Sequence, residues 1–240
     1  MSSTAGAPPA GCRTTRWHRM PDVEALVHAV VQRVLERARA AIADHAEFRI
    51  VLAGGSTPQA VYRALANVTT DWSRWQVYFG DERCLPIDDP ERNSVMATKS
   101  WLGQVPMPGS NIHPIRAELG PETAASRYAG IIGRARPFDL VLLGMGEDGH
   151  TASLFPGQHP DESVSVHPVY HAPKPPPARV SLGQAALNDS EEVLILVTGR
   201  SKRDAVQRWR AGAGLPVAGI CGRHGVDVYI DAAADEQTTT

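Results

Sequence analysis

Val141-Leu-Leu-Gly-Met-Gly-Glu-Asp-Gly-His-Thr-Ala-Ser-Leu-Phe-Pro156 carries the decisive reading of this chain. The apolar run from Phe138 to Leu143 is continuous rather than alternating, the pattern of a strand buried on both faces. It ends at Gly144-Met-Gly146, where glycine permits a turn that side chains resist. An acid pair, a histidine and hydroxyls follow. In open α/β sheets ligands bind beyond the carboxyl ends of the strands, and core packing has no use for Asp148 and His150 at such a place. The stretch therefore predicts a parallel sheet and a reactive group at its rim.

Outward from it, strands alternate with helices. Pro21 to Asp44 repeats Val and Leu at three- and four-residue steps and reads as a helix. Phe48 to Leu52 is a short apolar strand that breaks at Gly54-Gly55, and Pro58 opens a helix to Ala66. Trp75 to Phe79 is a buried strand, Asn111 to Ile115 a weaker one, and Pro121 to about Gly133 a helix. Gly157 to Ala178 is proline-rich without period and reads as a long loop, a lid candidate. Strands at Arg179 to Leu182, Glu192 to Val197 and Val226 to Ile230 follow, with a helix from Ser201 to Arg210 between the last two. The expectation is an α/β fold: one domain over residues 15–231, a mostly parallel open sheet with helices on both faces. Residues 1–14 read as a disordered lead and 232–240 as a flexible tail.

Composition narrows the function. A length of 240 residues suits one substantial domain, and 42% hydrophobic with 21% charged residues is ordinary for a globular chain. A formal net charge of -2 gives no support for a nucleic-acid or membrane partner. No apolar run approaches the ~20 residues of a spanning helix. The 3 cysteines are scattered, which argues against a disulfide framework and suits the cytoplasm, and Cys84 reads as a bystander thiol. His159, His167 and His171 fit no common zinc pattern, so no metal is expected. A Gly-x-Ser-x-Gly elbow is missing, and Trp72, Trp75 and Trp101 read as core.

Four strand-end turns carry chemistry. Gly54, Gly55, Ser56 and Thr57 precede a helix, whose free N–H groups and positive dipole end favour an anion; the same pattern also makes an ordinary capped turn. Gly80-Asp81-Glu82-Arg83 places an arginine beyond a second strand, either as a solvated charge cluster or as a planar grip on phosphate, with Asn93 close behind. His150 follows Asp148 by two residues, and an imidazole takes a proton near neutral pH. Lys202 begins a helix after Thr198-Gly199, and Arg179 opens a strand after the proline-rich loop. Together they make an anionic-substrate site.

With these residues in view the chain resembles the 6-phosphogluconolactonases, of the superfamily that includes glucosamine-6-phosphate deaminases. The likeness runs from about Trp17 to Ile230 and rests on Ala53-Gly-Gly-Ser-Thr-Pro58, Gly80-Asp-Glu-Arg83, Asn93, the Gly144–Pro156 segment, Arg179-Val-Ser-Leu182, Thr198-Gly199 and Lys202. The Gly-His-Thr-Ala-Ser-Leu-Phe-Pro form is the discriminating one; related deaminases continue from Asp-Gly-His with an Asn-Glu-Pro segment that is missing here. Two departures bear on loop shape: Glu147 where the family often has Pro, and Ser181-Leu182-Gly183 for a Leu-Thr-Leu-type run.

The resemblance implies hydrolysis of a sugar-phosphate lactone without cofactor. His150 is then the general base supported by Asp148, and Gly54, Gly55, Ser56, Thr57, Asp81, Arg83, Asn93, Arg179 and Lys202 hold substrate. The expected state is a cytoplasmic monomer or weak homodimer. Two rivals are an isomerase or deaminase with Asp81 shuttling a proton at carbon, and a sugar-phosphate sensor, which lacks a DNA-binding segment here.

Overall fold

The computed structural model describes residues 15–158, 160–161 and 163–235. The stretch read as a lead (1–14), His159 and residues 236–240 lie outside the described residues. Six strands form one wholly parallel sheet: β1 (Thr15–Met20), β2 (Phe48–Leu52), β3 (Trp75–Phe79), β5 (Phe138–Gly144), β8 (Ser190–Val197) and β9 (Val226–Asp231), in the order β1-β9-β8-β5-β2-β3. A second, antiparallel sheet joins β4 (Asp81–Arg83), β7 (Arg179–Leu182) and β6 (Val166–Val169) in the order β4-β7-β6. The helices are α1 (Val23–His45), α2 (Ser56–Leu65), α3 (Asn93–Ala97), α4 (Pro121–Ala135), α5 (Gln184–Asn188), α6 (Arg203–Arg210) and α7 (Ala232–Asp235).

The strand order explains where a ligand belongs. From β2 the chain steps outward to β3, then crosses back to β5 on the other side of β2 and continues to β8 and β9. Connections therefore diverge between β2 and β5, which opens a crevice at their carboxyl ends. β5 itself is buried from Phe138 to Leu143, as a central parallel strand requires.

Helix α1 buries Leu26, Val30, Val31, Val34, Leu35, Ala38 and Ala41 on one stripe, and Asp22 caps it by accepting from the Ala25 N–H at 2.8 Å. Trp72, Trp75 and Trp101 are buried against Tyr62 and Phe48, as their core reading expects. Two buried tyrosines pin the ends of neighbouring strands. Tyr62 Oη donates to the Ala53 carbonyl (2.8 Å) and accepts from its N–H (2.9 Å), while Tyr128 Oη treats Phe79 likewise at 3.2 and 2.8 Å.

Several local readings need correction. Asn111–Ile115 is no strand: a 3₁₀ turn covers Gly109–Asn111, and a single bridge joins Ile112 to Val77. The proline-rich segment is not structureless, because β6 pairs there with β7; Pro168 tolerates the sheet on this three-strand edge. Strand β1 went unread because its charged residues mask alternation; Arg16 and His18 both bond Asp227 of β9. Helix α2 begins at Ser56, two residues before Pro58. Ala232–Asp235, read as tail, forms a helical turn that Asp231 caps at the Ala234 N–H (2.8 Å).

Cys84 is a free thiol, pushed up to about 11 chiefly by burial, in keeping with a bystander. No described helix is long and apolar enough to cross a membrane.

Candidate active site

At the crevice between β2 and β5 lies a cavity of about 320 Å³. Every sequence-predicted residue except Asp148 lines it: Gly54, Gly55, Ser56 and Thr57 after β2; Asp81 and Arg83 on β4; Asn93 opening α3; His150 after β5; Arg179 on β7; Lys202 after β8. Residues from five separate strand ends meet within one pocket, and Asp148 touches it through His150.

The segment after β5 folds back on itself to present the imidazole. The Gly146 N–H donates to the His150 carbonyl at 2.8 Å, and Thr151 Oγ1 donates to the Gly144 carbonyl at 2.8 Å. His150 Nδ1 stands 2.5 Å from Asp148 Oδ1, which also accepts the His150 backbone N–H at 3.1 Å. An acceptor on Nδ1 fixes the tautomer and leaves the Nε2 lone pair free. Burial lowers the imidazole pKa from its ordinary value, outweighing the Asp148 charge that raises it. For Asp148, burial works upward, but the hydrogen bonds from His150 and its charge prevail and hold the carboxyl low. The resting pair is a neutral imidazole on a carboxylate.

Two glycines are dictated by close approach. A Cβ on Gly146 would sit 2.0 Å from His150 Nδ1, and one on Gly54 would sit 2.1 Å from Asn93 Oδ1. Glycine here makes room for the imidazole ring and for the asparagine that floors the pocket.

Asp81 is buried and fully engaged: Asn93 Nδ2 donates to Oδ1 at 2.9 Å and Ser153 Oγ to Oδ2 at 2.7 Å. Glu82 faces away from the cavity. It accepts backbone N–H groups of Arg83, Asn93 and Ser94 and lies 3.5 Å from the buried Arg92 Nε. Arg92 in turn donates to the Ile115 carbonyl and to Glu118. The reading of Gly80–Arg83 as a solvated charge run is thereby excluded; its acids are buried and bonded.

The cations differ in freedom. Arg83 NH1 donates to the Glu91 carbonyl at 2.6 Å. Arg179 donates through Nε and NH2 to the carbonyls of Pro176, Lys174 and Pro175. Lys202 makes no ion pair among the described residues, and burial lowers its pKa. Thr57 Oγ1 and Thr198 Oγ1, 2.6 Å apart, tie the two phosphate-loop candidates together. Lys174, Thr198 and Ser153 were missed as single residues; a lysine inside a proline-rich loop carries no local signal. Together the pocket offers a neutral base, cations, hydroxyls and the free N–H groups at the start of α2.

Known proteins resemble this chain over most of its length. Residues 21–229 match the family described as Glucosamine-6-phosphate isomerases/6-phosphogluconolactonase. The chain is 36% identical to the 6-phosphogluconolactonase of Streptomyces coelicolor, over 90% of this chain and 92% of that protein. It is 36% identical to that of Mycobacterium tuberculosis, over 89% and 94%. The crystal structure of the Thermotoga maritima 6-phosphogluconolactonase superposes with a TM-score of 0.85 at 29% identity, covering 91% of this chain and 100% of that one. A monomeric glucosamine-6-phosphate deaminase, at 20% identity and a TM-score of 0.79, shares the fold.

Proposed function

The chain belongs to the glucosamine-6-phosphate isomerase/6-phosphogluconolactonase family, and from that premise we propose how its cavity hydrolyses 6-phospho-D-glucono-1,5-lactone to 6-phospho-D-gluconate by general-base activation of water. The enzyme is a carboxylic ester hydrolase acting on a sugar-phosphate lactone of the pentose phosphate pathway. One observation carries the mechanism: an imidazole locked through Nδ1 on Asp148 shares its cavity with the Gly54–Thr57 turn and the basic groups.

The δ-lactone is an activated ester, so a positioned water, a base and charge stabilisation suffice. His150 Nε2 takes a proton as water oxygen bonds to the lactone carbonyl carbon. Asp148 stabilises the imidazolium that forms. The tetrahedral intermediate then expels the ring oxygen, which receives that proton from His150, and the product carboxyl ionises to solvent. The Gly54–Thr57 N–H groups and hydroxyls, with Arg83 and Lys202, hold the phosphate. Asp81, bonded by Asn93 and Ser153, shapes the floor and needs no proton of its own. The reading includes no metal or cofactor and places the enzyme in the cytoplasm as a monomer or weak homodimer.

The test is a pH-stat assay on freshly made 6-phosphogluconolactone, corrected for spontaneous hydrolysis, with glucosamine 6-phosphate as a control followed for ammonia. Lactone turnover without ammonia is expected, and the reverse would make the chain a deaminase. His150→Ala should lower kcat by ~10²–10⁴-fold; near-normal turnover would remove His150 from the role. Arg83→Ala should mainly raise KM, and an unchanged KM would argue against phosphate contact.

A further inference from the structure

Lys174 reaches the cavity from the proline-rich segment rather than from a strand end. Its backbone is held firmly. Arg179 NH2 donates to the carbonyls of Lys174 at 2.9 Å and Pro175 at 3.1 Å, and Arg179 Nε to that of Pro176 at 3.1 Å. Arg179 is itself buried on β7, with its guanidinium 5.6 Å from the centre of the Phe155 ring. The Lys174 side chain, by contrast, is half exposed, and its Nζ lies 3.8 Å from Glu147 Oε2, a carboxylate that is equally open to water. That separation is too long for a hydrogen bond, so the pair is loose.

Lys174 also stands near enough to His150 and Lys202 to disfavour the protonated form of each, while Glu147 and, less strongly, Asp148 favour the charged Lys202. At the mouth of the pocket the Lys174 and Lys202 ammonium groups thus face one loosely held carboxylate, Glu147, because Asp148 is engaged by His150 and Asp81 by Asn93 and Ser153. A phosphate dianion offers both a counter-charge, and the exposed Glu147 has solvent to turn into.

We propose that Lys174 binds the substrate phosphate and that Glu147 is its resident counter-ion, exchanged for the phosphate when substrate enters. Arg179 is then a positioning residue that sets the lysine backbone. The inference rests on the lactonase reading and adds the origin of its preference for a phosphorylated lactone.

The experiment compares Lys174→Met, Glu147→Gln and the double variant on 6-phosphogluconolactone and on unphosphorylated glucono-1,5-lactone. Lys174→Met should raise KM for the phosphorylated lactone about tenfold and reduce the preference for it over the unphosphorylated one by a similar factor. Glu147→Gln should lower KM about twofold, and in the Lys174→Met background it should change nothing further. An unchanged KM in Lys174→Met, or equal losses on both lactones, overturns the phosphate contact. A rise in KM for Glu147→Gln overturns the exchange and makes the pair a structural latch. Wild-type enzyme inactive on the phosphorylated lactone would instead defeat the lactonase reading itself.

Discussion

The imidazole of His150 works under two opposing influences. Burial favours its neutral form, and the Asp148 carboxylate favours the charged form; burial wins, so the ring titrates below its ordinary 6.5. In the proposed role as general base the ring must be unprotonated to act, so kcat/KM should fall as pH drops through that lowered pKa. The acid limb of the pH profile should accordingly lie below 6.5, and a limb above it would contradict the neutral resting ring. Asp148→Asn removes the raising influence and the tautomer lock together. It should move the limb lower still while reducing kcat. Gly146→Ala gives a separate check, because its Cβ would fall 2.0 Å from Nδ1. The ring must move, so kcat should drop at least tenfold while the circular dichroism spectrum and melting temperature change little. Full activity in that variant would mean that the ring position matters less than the geometry implies.

Among the elements, the three-residue strand β4 has an influence beyond its length. Its Asp81 and Arg83 face the cavity, while Glu82 between them points into the protein, as strand alternation demands. There Glu82 accepts the first N–H groups of α3 and meets Arg92, both side chains being essentially buried. That anchor sets Asn93, and Asn93 sets Asp81. Removing one partner of a buried ion pair costs roughly 3–5 kcal/mol, because the other charge is left uncompensated. Glu82→Gln should therefore lower the urea midpoint and stability by about that amount, with kcat loss following from a displaced Asn93. A stability change below about 1 kcal/mol would show that the N–H groups, not the charge, are what Glu82 serves. A run of Asp, Glu and Arg in sequence could as well have been solvent-facing; the direction of each side chain depended on β7 pairing alongside.

For the molecule as a whole, formal charge and local field diverge. The chain carries a net -2, yet Arg83, Arg179, Lys174 and Lys202 converge on one mouth, with Asp81 beneath them. A concave basic mouth attracts an anionic substrate from outside contact distance, and salt screens that attraction. Raising ionic strength from about 0.05 to 0.5 M should thus increase KM several-fold and leave kcat within about twofold. A KM indifferent to salt would mean that phosphate recognition is a matter of hydrogen bonds alone. The field exists because the strand order diverges between β2 and β5, so turns distant in the chain open onto one crevice.

Much of this was readable from the residues alone. Continuous apolar runs dictate buried parallel strands, since a strand covered by helices on both faces tolerates no alternation, and glycines at strand ends mark where the backbone must turn beside a ligand. Hence the sheet class, the one-domain core and the cavity-lining residues followed from local pattern. What local pattern omits is pairing at a distance: β1 is an edge strand whose Arg16 and His18 are held by Asp227, remote in sequence, and Asn111–Ile115 had strand-like residues but only one bridge to join. The same holds for Glu82, Arg179 and Lys174, whose charges read alike as sequence and differ in what surrounds them. A side chain's chemistry is set by its type, but its burial, partners and direction arise from contacts that exist once the sheets have assembled.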